Sequence, residues 1–305
     1  MLAFAIAVLG SWVRINGAGL TCPDWPLCHG SLVPSLQGGV VLEWSHRLVA
    51  FVEGFVVIGA IVTGLRCRKE IAGVTPALVA LGAIFALQVS LGGATVFLAN
   101  SPLSVMLHWG MGMALLADLT VLAVLAILAP APRAGAVSAR AESAAPALGI
   151  AAAFAFVTMC VGAYVSSSYA GLACTGVPAC DGSLFGHDLA QHVQMAHRVL
   201  AALFALVAVV ALAAAFAAKN GSRGVRAFAL LGTALVAAQV ALGIANVVWR
   251  LPIALREAHA ANAGATFLAF VIAAVLASLA PYRAAAPATA PGRARSAGRR
   301  IAPVA

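Results

Sequence analysis

Residues 41–65 read VLEWSHRLVAFVEGFVVIGAIVTGL, and this stretch decides the class of fold. It is long and apolar enough to cross a bilayer as a helix, which takes about 20 residues. Transmembrane β-strands need only about 10 residues each, so the stretch is too long for a barrel. The sequence therefore predicts an all-α integral membrane protein with eight transmembrane helices. The seven other apolar runs lie at about 1–13, 74–98, 105–130, 147–166, 191–217, 227–248 and 255–280.

The composition of the whole chain agrees with this class. Of the 305 residues, 63% are hydrophobic and 9% are charged, whereas soluble domains carry about 25% charged residues. The first run is unusually short, since about 13 residues span only about 20 Å as a helix. We therefore expect either a shortened first helix or a start upstream of Met1. The run lacks a basic segment and a convincing cleavage site, so it is not interpreted as a signal peptide.

The basic residues follow the pattern that orients membrane proteins. The net charge is +9, and 13 of the 18 Lys and Arg residues lie in alternate connections. The loops at 14–40 and 167–190 are long but nearly free of basic residues. This positive-inside pattern predicts a multi-pass protein of the bacterial inner membrane with both termini cytoplasmic, and it argues against nucleic acid as a partner. The 13 residues are Arg66, Arg68, Lys69, Arg133, Arg140, Lys219, Arg223, Arg226, Arg283, Arg293, Arg295, Arg299 and Arg300.

The sequence repeats itself at an offset of 151–152 residues. Because each half has an even number of spans, the halves are predicted to be parallel repeats, that is, two tandem four-helix bundles. The predicted organisation is an N-terminal half at 1–130, a cytoplasmic linker at 131–146, a C-terminal half at 147–281 and a disordered basic tail at 282–305. The matches are Gly19-Leu20-Thr21-Cys22 with Gly171-Leu172-Ala173-Cys174, Cys28 with Cys180, His46-Arg47 with His197-Arg198, Gln88–Gly92 with Gln239–Gly243, and His108 with His259.

Four histidines recur with the repeat, two in each half. His46 and His108 lie at similar depth near the outer ends of their predicted helices, and so do His197 and His259. A lone histidine in a membrane helix is more often a hydrogen-bonded core group, but facing imidazoles in a four-helix bundle suit axial ligation of heme iron. Zinc would need three or four ligands, and no third ligand repeats with the pairs. The sequence therefore predicts one heme site in each half.

Two kinds of charged residue accompany these histidines. Arg47 and Arg198 either pair with a heme propionate or extend to the outer interface. Glu43 lies one helical turn before His46, whereas the second half has Gln194 at the matching place. A carboxylate is costly in a low-dielectric site unless it acts there. Glu43 is therefore predicted to handle protons or stabilise a developing cation, which assigns chemistry to the first half and a resident cofactor to the second.

Two cysteine pairs, Cys22/Cys28 and Cys174/Cys180, fall in the predicted outer loops. That side of a bacterial membrane is oxidising, so we expect a disulfide in each loop, with a structural role as a lid over the heme. The alternative is a redox-active thiol pair that exchanges electrons or receives heme. The sequence leaves both roles open.

Residues 17–30 read GAGLTCPDWPLCHG and are followed by Glu43-Trp44-Ser45-His46-Arg47. These motifs resemble the heme A synthase family, and the resemblance extends over both halves through His108, His197-Arg198 and His259. It implies an eight-helix bacterial oxidoreductase. The implied reaction oxidises the C8 methyl of heme O to a formyl group, which gives heme A for terminal oxidases.

The resemblance also implies roles for particular residues. His46 and His108 bind the substrate heme O, with Glu43 as the essential carboxylate, while His197 and His259 ligate a heme b. The Cys22–Cys28 disulfide belongs to the family pattern, whereas the second pair occurs in only part of the family. Besides the lipid bilayer, the implied partners are a heme O synthase and an electron donor, and an oligomer is compatible with the sequence.

Other functions are weighed against this one. A di-heme cytochrome b that only transfers electrons would keep two hemes and form no product, and the one-sided Glu43 argues against it. A heme transporter or chaperone would usually have broken helices at the membrane midplane, which the sequence does not show at matching positions. A heme O synthase would need aspartate-rich motifs for a diphosphate and Mg²⁺, and these are absent.

Overall fold

The computed structural model of the chain describes residues 1–71, 73–128, 144–218 and 222–284, with side chains as far as residue 279. Every predicted run is a helix, and the ends differ from the predicted ones by only a few residues. Most of the predicted linker and tail lies outside the described residues, together with several of the basic residues counted above. The helices are α1 (Leu2–Ile15), α2 (Gly39–Arg66), α3 (Val74–Phe97), α4 (Pro102–Leu128), α5 (Ala145–Ser167), α6 (Leu189–Ala217), α7 (Arg223–Val248) and α8 (Ile253–Ala284).

Within these described ranges, the seven helices α2 to α8 are long and apolar enough to cross a membrane. The chain is therefore a multi-pass helical membrane protein. Helix α1 is the exception, because its 14 residues span only about 21 Å. This length is compatible with both expectations for the first run, a shortened helix and a start upstream of Met1.

Local sequence signals begin several of the helices. The Asp188 carboxylate accepts a 2.9 Å hydrogen bond from the backbone N–H of Gln191, and the Ser222 hydroxyl accepts one of 3.3 Å from Val225. Both side chains satisfy a backbone donor that the first turn of a helix leaves unpaired. Pro102 is the first residue of α4, where a missing N–H costs nothing.

The buried core is larger around the later helices. One cluster of buried apolar side chains occupies α5 to α8 and includes Met113 and Leu116 of α4. A smaller cluster, built on Val57, Leu81 and Leu115, joins α2, α3 and α4. In the larger cluster, the fully buried Phe270 ring of α8 fits against a glycine of α7, so these two helices approach closely.

Helices α1 and α4 connect the first part of the chain to α5 and α8. The Ser11 hydroxyl of α1 donates a 2.8 Å hydrogen bond to the Glu257 carboxylate of α8. The Ser167 hydroxyl at the end of α5 donates one of 3.2 Å to the carbonyl of Pro102 in α4. Polar contacts of this kind join helices where the surrounding lipid offers no competing partner.

Removal of the Phe270 ring should destabilise the fold. Because the side chain is fully buried, Phe270→Ala should lower the free energy of unfolding by about 3–5 kcal/mol through lost contacts and a residual cavity. Unfolding by denaturing detergent in mixed micelles measures this change. Phe97→Ala is the matched control, since Phe97 is 70% exposed in the structure. Equal losses in the two variants would contradict the placement of Phe270 in the core of α5 to α8.

Candidate functional site

The four repeated histidines come together two by two. The rings of His197 on α6 and His259 on α8 have centroids 6.5 Å apart and planes inclined at 75°. His46 on α2 and His108 on α4 are close enough to interact electrostatically. All four rings are half-buried, and each lies about two turns from the first residue of its helix. The structure therefore brings together the two pairs that the sequence predicts.

Each histidine ring packs on a glycine of a neighbouring helix, a feature that the sequence interpretation missed. In every case the ring atom nearest to the glycine is Cε1. The available signal was the repeat itself, because these glycines recur at the same offset as the histidines. A Cβ built on the glycine would lie 2.9 Å from Cε1 for Gly10 and His46, 3.2 Å for Gly92 and His108, 2.9 Å for Gly162 and His197, and 3.3 Å for Gly243 and His259.

The ring nitrogen Nδ1 faces protein in all four histidines. In His197 it lies 3.2 Å from the carbonyl oxygen of Thr158. In His46, His108 and His259 the buried Nδ1 makes no hydrogen bond of standard geometry, although the backbone of Ile6, Gln88 and Gln239, respectively, lies close enough to interact with the ring. The Nδ1 atoms are thus enclosed by the neighbouring helices, which leaves Nε2 as the nitrogen available to a ligand.

Arg47 ties helix α2 to the first cysteine loop, which we define as residues 16–38. Its Nη1 donates 2.6 Å hydrogen bonds to the carbonyls of Asp24 and Leu27. Its Nη2 donates to the Cys22 carbonyl at 3.0 Å and to Glu43 at 2.6 Å. The guanidinium group therefore gathers three backbone carbonyls of one loop at one end of α2.

Glu43 completes this attachment from one turn earlier on α2. The residue is 4% exposed, and its carboxylate accepts hydrogen bonds from the Cys22 N–H at 2.8 Å and the Thr21 hydroxyl at 3.0 Å. Together with Arg47, it forms an ion pair at 2.6 Å. In the structure the bonds of Glu43 thus go to the loop and to Arg47, and its catalytic role stays a prediction.

The second cysteine loop, residues 168–188, is held by the matching residues of α6. Arg198 donates hydrogen bonds to the carbonyls of Gly176 at 2.6 Å and Cys174 at 3.0 Å. Gln194 accepts from the Cys174 N–H at 2.5 Å and donates to the Gly171 carbonyl at 2.8 Å. Gln194 therefore does with a neutral amide what Glu43 does with a carboxylate.

The partners of the two arginines were not among the sequence interpretations. The sequence offered a heme propionate or the outer interface, whereas the guanidinium groups of Arg47 and Arg198 bind loop carbonyls. The spacing of Glu43 and Arg47, four residues apart on a helix, could have signalled the ion pair. The carbonyl partners had no such signal, and propionate binding stays a prediction.

Both cysteine pairs form disulfides in the structure, Cys22–Cys28 and Cys174–Cys180. The four cysteines are at most 1% exposed, so the loops fold around the bonds. Each loop then makes a tight turn, in which the second cysteine pairs through its backbone with the serine three residues later. The structural role and the alternative redox-active role of these bonds both stay predictions.

Asp24 closes the turn of the first loop. Its carboxylate accepts hydrogen bonds from the backbone N–H of Gly30 at 2.8 Å and of His29 at 2.6 Å. The bonds from Gly30 and His29 favour the charged form and hold the pKa of the Asp24 carboxyl below its ordinary value. The turn needs Gly30, because its φ of +73° is a left-handed conformation.

Among the residues that the structure describes, no three His, Cys, Asp or Glu side chains are grouped so as to hold a metal ion. A two-histidine site suits a metal whose other ligands come from a tetrapyrrole. The fold and site therefore define a class: multi-pass membrane proteins with paired histidines beneath disulfide-bonded loops.

Comparison with known proteins gives the family within this class. The family model described as "Cytochrome oxidase assembly protein" (COX15-CtaA) matches residues 1–40 and 36–271. The chain belongs to this family. The matched residues include all four histidines, Glu43 and both disulfides.

Individual relatives agree with the family match. The chain is similar to a heme A synthase of Bacillus licheniformis, with 30% identity over 84% of this chain and 85% of that protein. It is also similar to a heme A synthase of Shewanella oneidensis, with 26% identity over 86% of this chain and 89% of that protein. A shorter match, 31% identical over 40% of this chain, is to 27% of a protoheme IX farnesyltransferase of Halobacterium salinarum.

Loss of the Arg47 side chain should expose the first disulfide to reductant. Arg47→Ala removes charge-assisted hydrogen bonds to three loop carbonyls. A loss of about 2 kcal/mol, or roughly 30-fold in the opening of the loop, is expected from such bonds. The rate at which a phosphine reductant frees Cys22 and Cys28 for alkylation, followed by gel shift, measures the effect. The control is Arg66→Ala, because Arg66 is exposed at the other end of α2. An unchanged rate in Arg47→Ala would show that Arg47 does not hold the loop.

Proposed function

We propose that this protein is a heme A synthase, an oxidoreductase that converts the C8 methyl of heme O to the formyl group of heme A for terminal oxidases. The observation that carries the proposal is the similarity to heme A synthases over 84–86% of the chain. The family match also spans both histidine pairs. A chain that has two histidine pairs and resembles these enzymes over most of its length is best explained as one of them.

The rings of His197 and His259 have centroids 6.5 Å apart, so both histidines would be able to hold the iron of one heme. We assign the resident heme b to this pair and the substrate heme O to His46 and His108.

We further propose that the chain is a tandem repeat of two parallel four-helix bundles, with residues 1–130 and 147–281 as its halves. Two observations support this. Each cysteine loop has its own disulfide and its own tight turn, and an arginine of the following helix binds its carbonyls. In addition, each histidine rests on a glycine of the helix that precedes it in the chain.

The residues of the first half would have separate roles in the reaction. Heme iron supplies the redox chemistry that breaking a methyl C–H bond requires and that side chains lack. His46 and His108 orient the substrate, so that its methyl group is held in one place. Glu43 would take up or return protons while the methyl group is oxidised to the formyl group. Arg47 offsets the negative charge of Glu43 in the protein interior.

The proposal also includes the surroundings of the enzyme. We place it in the bacterial inner membrane with both termini cytoplasmic, and with the cysteine loops on the oxidising side. A heme O synthase would supply the substrate, and an electron donor would serve the resident heme. The partial match to a protoheme IX farnesyltransferase supports the heme O synthase as a partner.

The proposed orientation can be tested with a native cysteine. Cys67 is a free thiol directly after α2, at the end proposed to be cytoplasmic. A membrane-impermeant maleimide should label it in inside-out vesicles and not in right-side-out spheroplasts. Cys67→Ala is the control, since the remaining free thiol, Cys160, lies within α5. Labelling of Cys67 from the outside would reverse the topology.

The proposed reaction is tested by a pair of exchanged variants. The chain is expressed with a heme O synthase in a host that lacks heme A, and the extracted hemes are analysed by chromatography and mass spectrometry. The wild type should yield a formyl-bearing heme. Glu43→Gln should reduce its yield at least tenfold, because the amide cannot move the proton. Gln194 shows that an amide at the matching place still accepts the loop N–H, so this variant removes charge and keeps the hydrogen bond.

Gln194→Glu is the matched control, because it alters the same position in the half to which no chemistry is assigned. It should retain formyl-heme production. If a folded, heme-loaded wild type returned only heme b and heme O, the synthase would be excluded and a di-heme electron-transfer cytochrome would replace it. If Glu43→Gln remained fully active, the first half would lose its proposed acid–base residue.

A further inference from the structure

We propose that Gly10, Gly92, Gly162 and Gly243 are positioning residues for the four histidines. Each provides a surface without a side chain, on which one imidazole ring rests, and so sets the direction in which the Nε2 of that ring points. The inference rests on the proposed heme ligation. It adds to that ligation a requirement on four residues that do not themselves touch heme iron.

The contact has the same form at all four places. Each glycine lies on the odd-numbered helix that precedes the histidine's helix: α1 before α2, α3 before α4, α5 before α6 and α7 before α8. The nearest ring atom is always Cε1. Other helical glycines do not face a histidine: a Cβ at Gly59 or Gly149 would meet nothing within 4 Å, and one at Gly232 would meet the Phe270 ring at 2.9 Å. Among the described residues, contact between a glycine and a histidine ring is therefore confined to these four places.

The atom in contact explains why a Cβ would matter. Cε1 is bonded directly to Nε2, so a push on Cε1 turns or shifts the nitrogen that would bind iron. At Gly162 the added Cβ would be 2.9 Å from Cε1 and 3.5 Å from Nε2 of His197. Because the glycine is part of a helix backbone and the interior is closely packed, the ring must move rather than the helix.

The helix turn that contains Gly162 also faces the Nδ1 nitrogen of His197. The carbonyl of Thr158, four residues before Gly162, lies 3.2 Å from Nδ1 of His197. A backbone carbonyl at Nδ1 commonly sets the orientation and tautomer of a metal-binding histidine. The turn at 158–162 thus contacts His197 on two sides, through a carbonyl at Nδ1 and a bare backbone at Cε1.

The distances predict an order of effects within the C-terminal pair. A Cβ at Gly162 would lie 2.9 Å from its histidine, whereas one at Gly243 would lie 3.3 Å from His259. The first contact forces the ring to move, while a shift of a few tenths of an ångström relieves the second. Gly162→Ala should therefore disturb the heme more than Gly243→Ala.

The test uses the full-length protein purified with its resident heme. Wild type, Gly162→Ala, Gly243→Ala and Gly149→Ala are compared by heme content, optical spectrum and electron paramagnetic resonance of the ferric heme. Binding of carbon monoxide to the ferrous heme is also measured, because an iron with two histidine ligands has no open position. Gly149→Ala is the matched control on the same helix as Gly162.

Gly162→Ala is expected to convert most of the low-spin resonance to a shifted or high-spin signal and to bind carbon monoxide. Added imidazole should restore the low-spin spectrum by replacing the displaced ring. Gly243→Ala should give a smaller change in the same direction, and Gly149→Ala should match the wild type. Because Gly243→Ala introduces the milder contact, it tests the inference even if Gly162→Ala does not fold.

Other results would overturn the inference in different ways. If the wild type has a low-spin heme with two histidine ligands and folded Gly162→Ala and Gly243→Ala have the same spectra, only the role of the glycines is wrong. If the wild type has no such heme, the proposed ligation is wrong and the inference fails with it. A loss of melting temperature with an unchanged heme spectrum would assign the glycines to helix packing alone.

Discussion

The guanidinium groups of Arg47 and Arg198 bind the backbone carbonyls of the two cysteine loops, and the end of the molecule above the histidines depends on these bonds. A loop beside apolar helices has carbonyls that neither lipid nor helix satisfies. One planar guanidinium with five donors satisfies several of them at once. The arginine directly follows a histidine in both cases, so the helix turn that places a ring also places the loop.

The comparison of Glu43 with Gln194 shows how one position serves structure and chemistry together. Both side chains accept a hydrogen bond from the N–H of the first cysteine of their loop. A neutral amide is sufficient for that purpose, as Gln194 demonstrates. The loop therefore does not require the negative charge of Glu43, which is offset by the ion pair with Arg47. A charge that the loop does not require supports a chemical role for Glu43 in the first half.

The two sets of helices also differ in how they are packed. A large cluster of buried side chains joins α5 to α8, whereas only a small one joins α2, α3 and α4. The larger buried cluster lies among the helices that carry His197 and His259, to which the proposal assigns the heme that stays in place.

The sequence by itself determined the helices, the four histidines and the cysteine pairs. Long apolar runs are sufficient to predict the helices, because a segment in lipid must satisfy its backbone hydrogen bonds as a helix. The internal repeat was sufficient to single out the histidines and the cysteine pairs. Only the tertiary structure decided that Arg47 binds loop carbonyls and that Gly162 supports His197. Periodicity along one helix predicts which face a residue occupies, but the atom opposite it belongs to another segment, and its position depends on how the helices pack.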